Sequence, residues 1–594
     1  MKLKYISSIA LALTLGFGLT SCEDFLDRPT EDNYSQDNYY QTDDQCLAGT
    51  AYLYNSPWYD FQRGFIDVGE VLSGNCYKTG KYLTFTVNGT DDNLINMAYS
   101  LWAENAHCNA VYDNIKKAPA SVSDNVRKAC MGECLTWKAM AYFFLVRSFG
   151  EIPIVHNNTA SLNQGDYNTY QKAQRDDVYE YICMTLEEAI KLLPEDNGQG
   201  RLNKWSAKAL LAKVYLTRAG VKGELDAAHL KKAADTAKEV MDGLHNKGVD
   251  LLDNYQDVFL LKNRYNKECL ISWRWTAEGE QWTRQNSLQS DFGLNGIDEQ
   301  GATWGDWNGV SVDLQLAFGV DLLGSPSQWL DNPDTRLKAT MMLPGFKYDH
   351  LWQDKGGFDY LKAMHDGSLA NTGLSSSTGA NFCKHIYGDG YDHLQGAGCS
   401  DGRMANSLPT HLLRLSDVYL IYAEAKMLEA NPGAGVNATS TDPSVIDAFY
   451  QVRHRAVKSY VKPNSISFMD IWKERRLELA LEGDRWYDFV RVSYYDPNFT
   501  INELTNQHRN NYWGLQDVYK HYYETGEWVI NEGSAGYDES ATAPNVRAMM
   551  KKDDGGTKEY FFIPFPTEDV VFNRNLGSDV NGVHVDVHSE KYSY

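Results

Sequence analysis

The chain is 594 residues long with a formal charge of −23, and 13% of it is aromatic, including 38 Tyr and 15 Trp. A surface this acidic repels phosphate backbones and no basic run of five or six residues interrupts it, so nucleic acid is a poor partner. The length allows several ordinary domains or one large helical array.

The first element is a leader. Two lysines in Met1–Lys4 precede a mostly apolar stretch, Tyr5–Leu19, which is shorter than the roughly 20 residues a membrane span needs. Leu19-Thr20-Ser21-Cys22 then resembles a bacterial lipoprotein signal, in which residues 1–21 are removed and Cys22 becomes an acylated N-terminus. The alternative is an ordinary secretory signal with an incidental cysteine. Two or more acyl chains, at about 0.8 kcal/mol per buried CH2, give stable anchoring without a span. Glu23 and Asp24 resemble the export signal for the outer face of the outer membrane, and residues 22–44 read as lipid anchor and flexible tether. The other nine cysteines have irregular spacing and no CxxC pair, which fits buried thiols better than zinc.

Helical patterns follow. RKACMGECLTWKAMAYFFLVRSFG (127–150) sets Cys134, Trp137, Ala141 and Phe144 at steps of three and four, with Gly150 placed to end the helix. RLNKWSAKALLAKVYLTRAG (201–220) predicts a second helix. Asn203 is its N-cap, Ala207, Leu210, Val214 and Thr217 form one face, and Gly220 is a stop. From 255 to 401 the pattern changes to Gly, Asn, Ser and Trp, with short strand-like runs such as CLISWRW (269–275); DLQLAF (313–318) is too short to assign. Leu408, Leu412, Leu415, Tyr419, Tyr422 and Ala425 then form a helical stripe. In SISFMDIWKERRLELALEGDRWYDFVRV, Ser467 and Asp470 resemble a capping box, and Trp472, Arg476, Leu479, Gly483, Trp486 and Val490 keep helical steps. Arg476 inside that seam requires a partner, best from another element, and the helix either passes through Gly483 or breaks there. Glu474, Arg475, Glu482, Arg485, Asp488 and Arg491 alternate in sign, as an Arg–carboxylate network between helices would. A catalytic carboxylate pair is the alternative.

The expected fold is mainly α: a degenerate tetratricopeptide-like helix-turn-helix array with a long irregular, Trp-rich insert containing short strands. One domain over 45–594 divides into a helical part (45–254), the insert (255–401) and a second helical part (402–594).

Seven segments occur together and in order: the signal at Cys22, WKAMAYFFLVRSFGEIPIV, GRLNKWSAKALLAKVYL, LLRLSDVYLIYAEAK, VRHRA, IWKERRLELALEGDRWYDFVR and FFIPFPTEDVVFNRNL. In this the chain resembles the SusD/RagB family of outer-membrane nutrient-binding lipoproteins over nearly its whole length, although its VDVHSEKYSY end departs from the Asn-Pro-Gly-Tyr style ending common there. The resemblance implies a binding protein that does no bond chemistry. It would sit as a lid over a SusC-like TonB-dependent transporter and deliver an oligosaccharide or, as in RagB-type members, a peptide.

Sugar rings present C–H faces that stack on Trp and Tyr, while amides and charges take the hydroxyls. The insert offers Trp273, Trp275, Trp282, Trp304 and Trp307. Trp273 and Trp275 share one strand face, which is more often core. Trp282 in EGEQWTRQN, and Trp304 and Trp307 in GATWGDWNG, have Gly and polar neighbours and are less easily explained by packing. Tyr77 and Tyr82 lie in GNCYKTGKYLTFTVNG, a stretch the family often uses to line the same site. The expected ligand-binding set is therefore Trp282, Trp304, Trp307, Trp275, Tyr77 and Tyr82, with Asn75, Lys81, Arg284 and Asn308 as hydrogen-bonding companions. Indole density favours sugars over peptides, whose grooves rely on backbone bonds. No phosphate, nucleophile or HExxH motif is present, and GDGYDH (388–393) lacks calcium-loop spacing and reads as a solvated turn; no cofactor and no metal is expected.

Overall fold

The computed structural model describes residues 39–158, 165, 168–277, 284–298, 303–305, 308–538, 546–553 and 558–594. The leader, Cys22, Trp282 and Trp307 lie outside the described residues.

Ten helices carry the frame: α1 (Asp43–Ala51), α2 (Asp92–Lys116), α3 (Asp124–Phe149), α4 (Arg175–Leu192), α5 (Lys204–Arg218), α6 (Ala227–His245), α7 (Leu415–Ala430), α8 (Pro443–Ala456), α9 (Phe468–Glu478) and α10 (Arg485–Ser493). From α2 to α8 each helix packs on the next, as in stacked helix hairpins. α6 also packs on α7 although some 170 residues separate them, so the array closes across the insert and the insert stands out from it. One hydrophobic cluster runs from Cys46 to Tyr592 and takes in both helical parts and the insert.

Local chemistry sets the helix ends. Asn203 accepts from the amides of Trp205 and Ser206, and Ser467 and Asp470 form the predicted reciprocal cap of α9. α3 ends at Gly150, whose φ of +79° suits glycine, and a Cβ there would press into the Phe562 ring. α3 is buried on all sides from Ala129 onward, which explains why its apolar residues exceed one stripe.

Two segments, the stripe at Leu408 and GDGYDH, differ from the sequence reading, and the alternatives left open at Gly483 resolve to a break. The stripe starting at Leu408 is helical only from Leu415. Thr410–Arg414 is strand β4, antiparallel to β2 (Cys269–Trp273), because the apolar CLISW segment offers a ladder that satisfies the backbone of both runs. The chain breaks at Gly483, with Leu481 and Gly483 at φ +63° and +76°, and the buried Glu70 carboxylate accepts from both of their amides. GDGYDH is not a solvated turn: Asp389 caps the short helix Gly390–Ala397, and Asp392 is buried, accepting from the amides of Trp352 and Gln353. Val312–Ala317, overlapping the unassigned DLQLAF run, is a short helix.

The sign-alternating motif is a buried seam. Arg336, held bidentately by Asp334, reaches Glu474 at 2.6 Å and Glu478 at 3.2 Å. Arg414 meets Glu482 at 2.7 Å and both Glu478 and Glu268 at 3.0 Å; Arg455 pairs with Glu268 and Glu478, and Lys384 with Glu482 at 2.9 Å. Glu478 thus faces three guanidiniums. A second set, reached by the next residue of α9, joins Arg475 to Asp417 and Asp488, and Lys213 to Asp417 and Asp484. Arg476 finds its partners outside the helix, in Asp313 at 2.7 Å and Asn75 at 2.9 Å. Every acid considered for catalysis is therefore sequestered by a cation.

Candidate ligand-binding site

The chain 52–63 crosses α2 in two tight 3-10 turns. Leu53, Trp58 and Phe61 face the core, where Trp58 lies 5.4 Å from both Trp137 and Trp273. The opposite side turns outward: Tyr52 and Tyr59 are partly exposed, and the Arg63 side chain is 53% exposed. From α2, Tyr99 stands 67% exposed within electrostatic reach of Tyr52, whose ring also meets His107 edge-on at 5.0 Å. These residues form an open aromatic shelf.

Two roots of the insert rise beside it. At the first, Asn55 Nδ2 donates to the Arg274 carbonyl, the Arg274 amide to the Tyr54 carbonyl, and the Thr276 amide to the Arg284 carbonyl at 3.2 Å. Arg284 lies near Tyr52. At the second, the Trp304 amide donates to the Ser290 carbonyl and its indole Nε1 to Asp291 Oδ1 at 3.1 Å, while Asn308 Nδ2 bonds the Asp291 carbonyl. Gly305 runs so close to Asp291 that any Cβ would collide with its carbonyl. Arg63 Nε is 3.9 Å from Asp291 Oδ1, and Asp291 Oδ2 has no hydrogen-bond partner among the described residues. Burial raises the Asp291 pKa, and Arg63 and the Trp304 N–H oppose the rise.

Tyr77 lies on β1 (Cys76–Tyr77), paired with β3 (Gly309–Val310) so that Tyr77 is opposite Gly309. Lys78 follows, bonded to Asp67 at 2.7 Å, with Asn93 holding the other Asp67 oxygen. Burial raises the hydroxyl pKa values of Tyr52, Tyr59 and Tyr77, so all three remain neutral donors and acceptors at physiological pH.

The sequence-derived set divides. Trp304 lies at the shelf's edge and Arg284 beside it, whereas Tyr77 turns its hydroxyl to Ser377, with Asp538 nearby. Trp275 is buried, its indole donating to Thr410 Oγ1 at 3.0 Å; the strand face it shares with Trp273 is core, where flanking apolar residues draw it. Tyr82 is also buried, because its hydroxyl is held at 2.8 Å by Asp91, the N-cap of α2. Asn75 is locked between Glu70 and Arg476 inside the protein, Asn308 is buried against Asp291, and exposed Lys81 pairs with Asp91. Missing from the set were Tyr52, Tyr59, Arg63, Tyr99 and Asp291. A signal for three of them existed: Tyr52, Tyr59 and Arg63 are spaced by seven and four, the outward complement of Leu53, Trp58 and Phe61.

Comparison with known proteins identifies the frame. Residues 323–579 match the model of the SusD family, and residues 68–216 match one described as starch-binding associating with outer membrane. A SusD-like protein of Bacteroides ovatus is 30% identical over 589 residues, covering 96% of this chain and 97% of the relative. This chain belongs to the SusD family. A family structure solved with a xylogluco-oligosaccharide superposes with a TM-score of 0.73 at 26% identity, over 91% of this chain and 99% of that one. A laminarin-binding SusD-like protein, at 21% identity and a TM-score of 0.58 over 84% of this chain and all of its own, shares the fold. The family's role is carbohydrate binding at the outer membrane.

Proposed function

We propose that this SusD protein is a cell-surface lipoprotein, anchored to the outer membrane through acylated Cys22, which captures a neutral oligosaccharide on the Tyr52–Tyr59–Tyr99–Trp304 shelf. It then passes the glycan to a SusC-like TonB-dependent transporter. The insert 255–401, as part of one domain over 45–594, supplies the indoles at the shelf's edge.

The observation that carries this reading is an open row of aromatic side chains flanked by fixed polar groups. Partly exposed Tyr and Trp faces can stack on sugar C–H surfaces, while Arg63 and Arg284 are placed for hydroxyls. The likeness to a structure solved with a xylogluco-oligosaccharide supports xyloglucan fragments as the first ligands to try.

A glycan array and calorimetry on residues 23–594 test the reading. A β-glucan-type oligosaccharide binds, Trp304→Ala and Trp307→Ala each weaken it at least about tenfold, roughly 1.4 kcal/mol, and no new reducing ends form. Binding as tight in both variants as in the parent would remove the site, and binding of peptides alone would replace the ligand class. Anchoring is read separately by acyl-chain labelling of the full chain in cells, which Cys22→Ala abolishes.

A further inference from the structure

A cavity of about 620 Å3 opens between α2, α3 and the last residues of the chain, and none of its lining residues belongs to the shelf. Asn109 and Tyr112 line it from α2, and Lys138 from α3. Lys138 is 1% exposed. No described carboxylate lies within 4 Å of its ammonium, whose one hydrogen bond is a long 3.4 Å contact to the His156 carbonyl. Its remaining support is the faces of Tyr181 and Tyr594, at 5.4 and 5.3 Å. A buried cation with so little compensation is costly unless an anion completes it.

The surroundings favour such an anion. Lys116 and Lys591 stand exposed in the lining, so with Lys138 three amines face two acids, Asp113 and the α-carboxylate of Tyr594, in a chain of net charge −23. His156 does not compete as a cation. Burial and Lys138 hold it at about pKa 3, and its ring nitrogens are bonded to the Tyr181 hydroxyl and the Ser593 carbonyl. Asn109 and the tyrosines add hydroxyl-compatible and apolar walls, and the volume suits one sugar-sized molecule.

We propose that this cavity is a second binding site, independent of the shelf, for a small carboxylate-bearing molecule of sugar-acid size, with Lys138 as the counter-ion of its carboxylate. The prediction has a proton signature. Burial lowers Lys138 to about pKa 7 against the pull of Cys108, Asp113 and Cys134, so near pH 8 the amine is largely neutral, and carboxylate binding must recharge it.

Calorimetry at millimolar D-glucuronate, D-glucose and N-acetylphenylalanine tests this on the wild-type protein. Carboxylate binding is expected without glucose binding; glucuronate alone marks sugar acids as the class, and N-acetylphenylalanine alone marks amino-acid carboxyl ends. Repeating the titration at pH 8 in buffers of different ionisation enthalpy should show uptake of most of one proton per ligand. Lys138→Met, which removes an uncompensated buried charge, should melt no lower than wild type and lose at least about tenfold in affinity, whereas Trp304→Ala keeps it. Neither carboxylate binding, glucose binding as well as glucuronate, no proton uptake, or unchanged affinity in Lys138→Met would each overturn the proposal. Loss of shelf binding alone would leave it standing.

Discussion

The seam at α9 and the shelf beside α2 use polar and aromatic residues in opposite ways. In the seam, Glu478 is fully enclosed and meets Arg336, Arg414 and Arg455, so each charge is spent on another part of the same chain. On the shelf, Tyr99 faces solvent and the Arg63 side chain is about half exposed. The contrast separates holding from catching. Groups that fix the insert on the helical frame are saturated and hidden, and groups offered to a ligand are partly satisfied and open.

The largest test breaks the seam. Glu478→Ala removes the carboxylate that three buried guanidiniums share, each of which keeps one other acid or more, and removing one partner of a buried pair costs about 3–5 kcal/mol; urea unfolding should show that loss, with shelf affinity unchanged in the protein that remains folded. A cost below about 1 kcal/mol, typical of surface pairs, would mean that the seam does not hold the insert. Acid titration comes next. Burial alone would raise Glu482, but Arg414 and Lys384 outweigh it and bring it to about 2, and the guanidiniums hold Glu478 well below the usual carboxylate range. Their folded-state values lie below the unfolded ones, so this stabilisation is complete above the ordinary value of 4.5 and is lost as pH falls towards 2. Glu70 has the opposite sign: burial raises it to about 7, and its contribution is lost as pH rises from 4.5 through 7. Glu70→Gln should therefore remove the loss of stability between pH 4.5 and 7 that this carboxyl causes while leaving the acid limb in place, and a pH–melting profile unchanged by that variant would contradict the assignment.

The smaller effects belong to the shelf. Trp304→Ala should weaken glycan binding about tenfold while changing unfolding free energy by about 1 kcal/mol or less, the worth of one indole hydrogen bond. Tyr99→Ala should weaken binding severalfold and alter stability by under about 0.5 kcal/mol, as exposed substitutions do. If Tyr99→Ala melts far lower than wild type, the residue is structural and the contrast fails there.

Sequence reading found the frame because its signals are local. Asn203, Gly150 and the Ser467–Asp470 pair mark helix ends through their own backbone chemistry, and the alternating signs after Ile471 show that charges must pair. It misplaced Leu408–Arg414 because one apolar spacing serves a helix or a strand until β2 is known to lie alongside. The site was legible only in part. Trp304 stood out by its Gly-rich neighbours, but Trp275 and Tyr82 look as available in sequence as Tyr77 does. Only Thr410 and Asp91, distant and near in the chain, show that they are taken. Asp291 had no local signature at all, since its role depends on Arg63 and Trp304 converging from either side.

The first hydrogen-bonded root, the Thr276 amide to the Arg284 carbonyl, has an evolutionary consequence. It ties its stretch off at the backbone, so residues between the knots can be exchanged while the knots stay in place. A lineage of such proteins can then change its diet by swapping one short cassette.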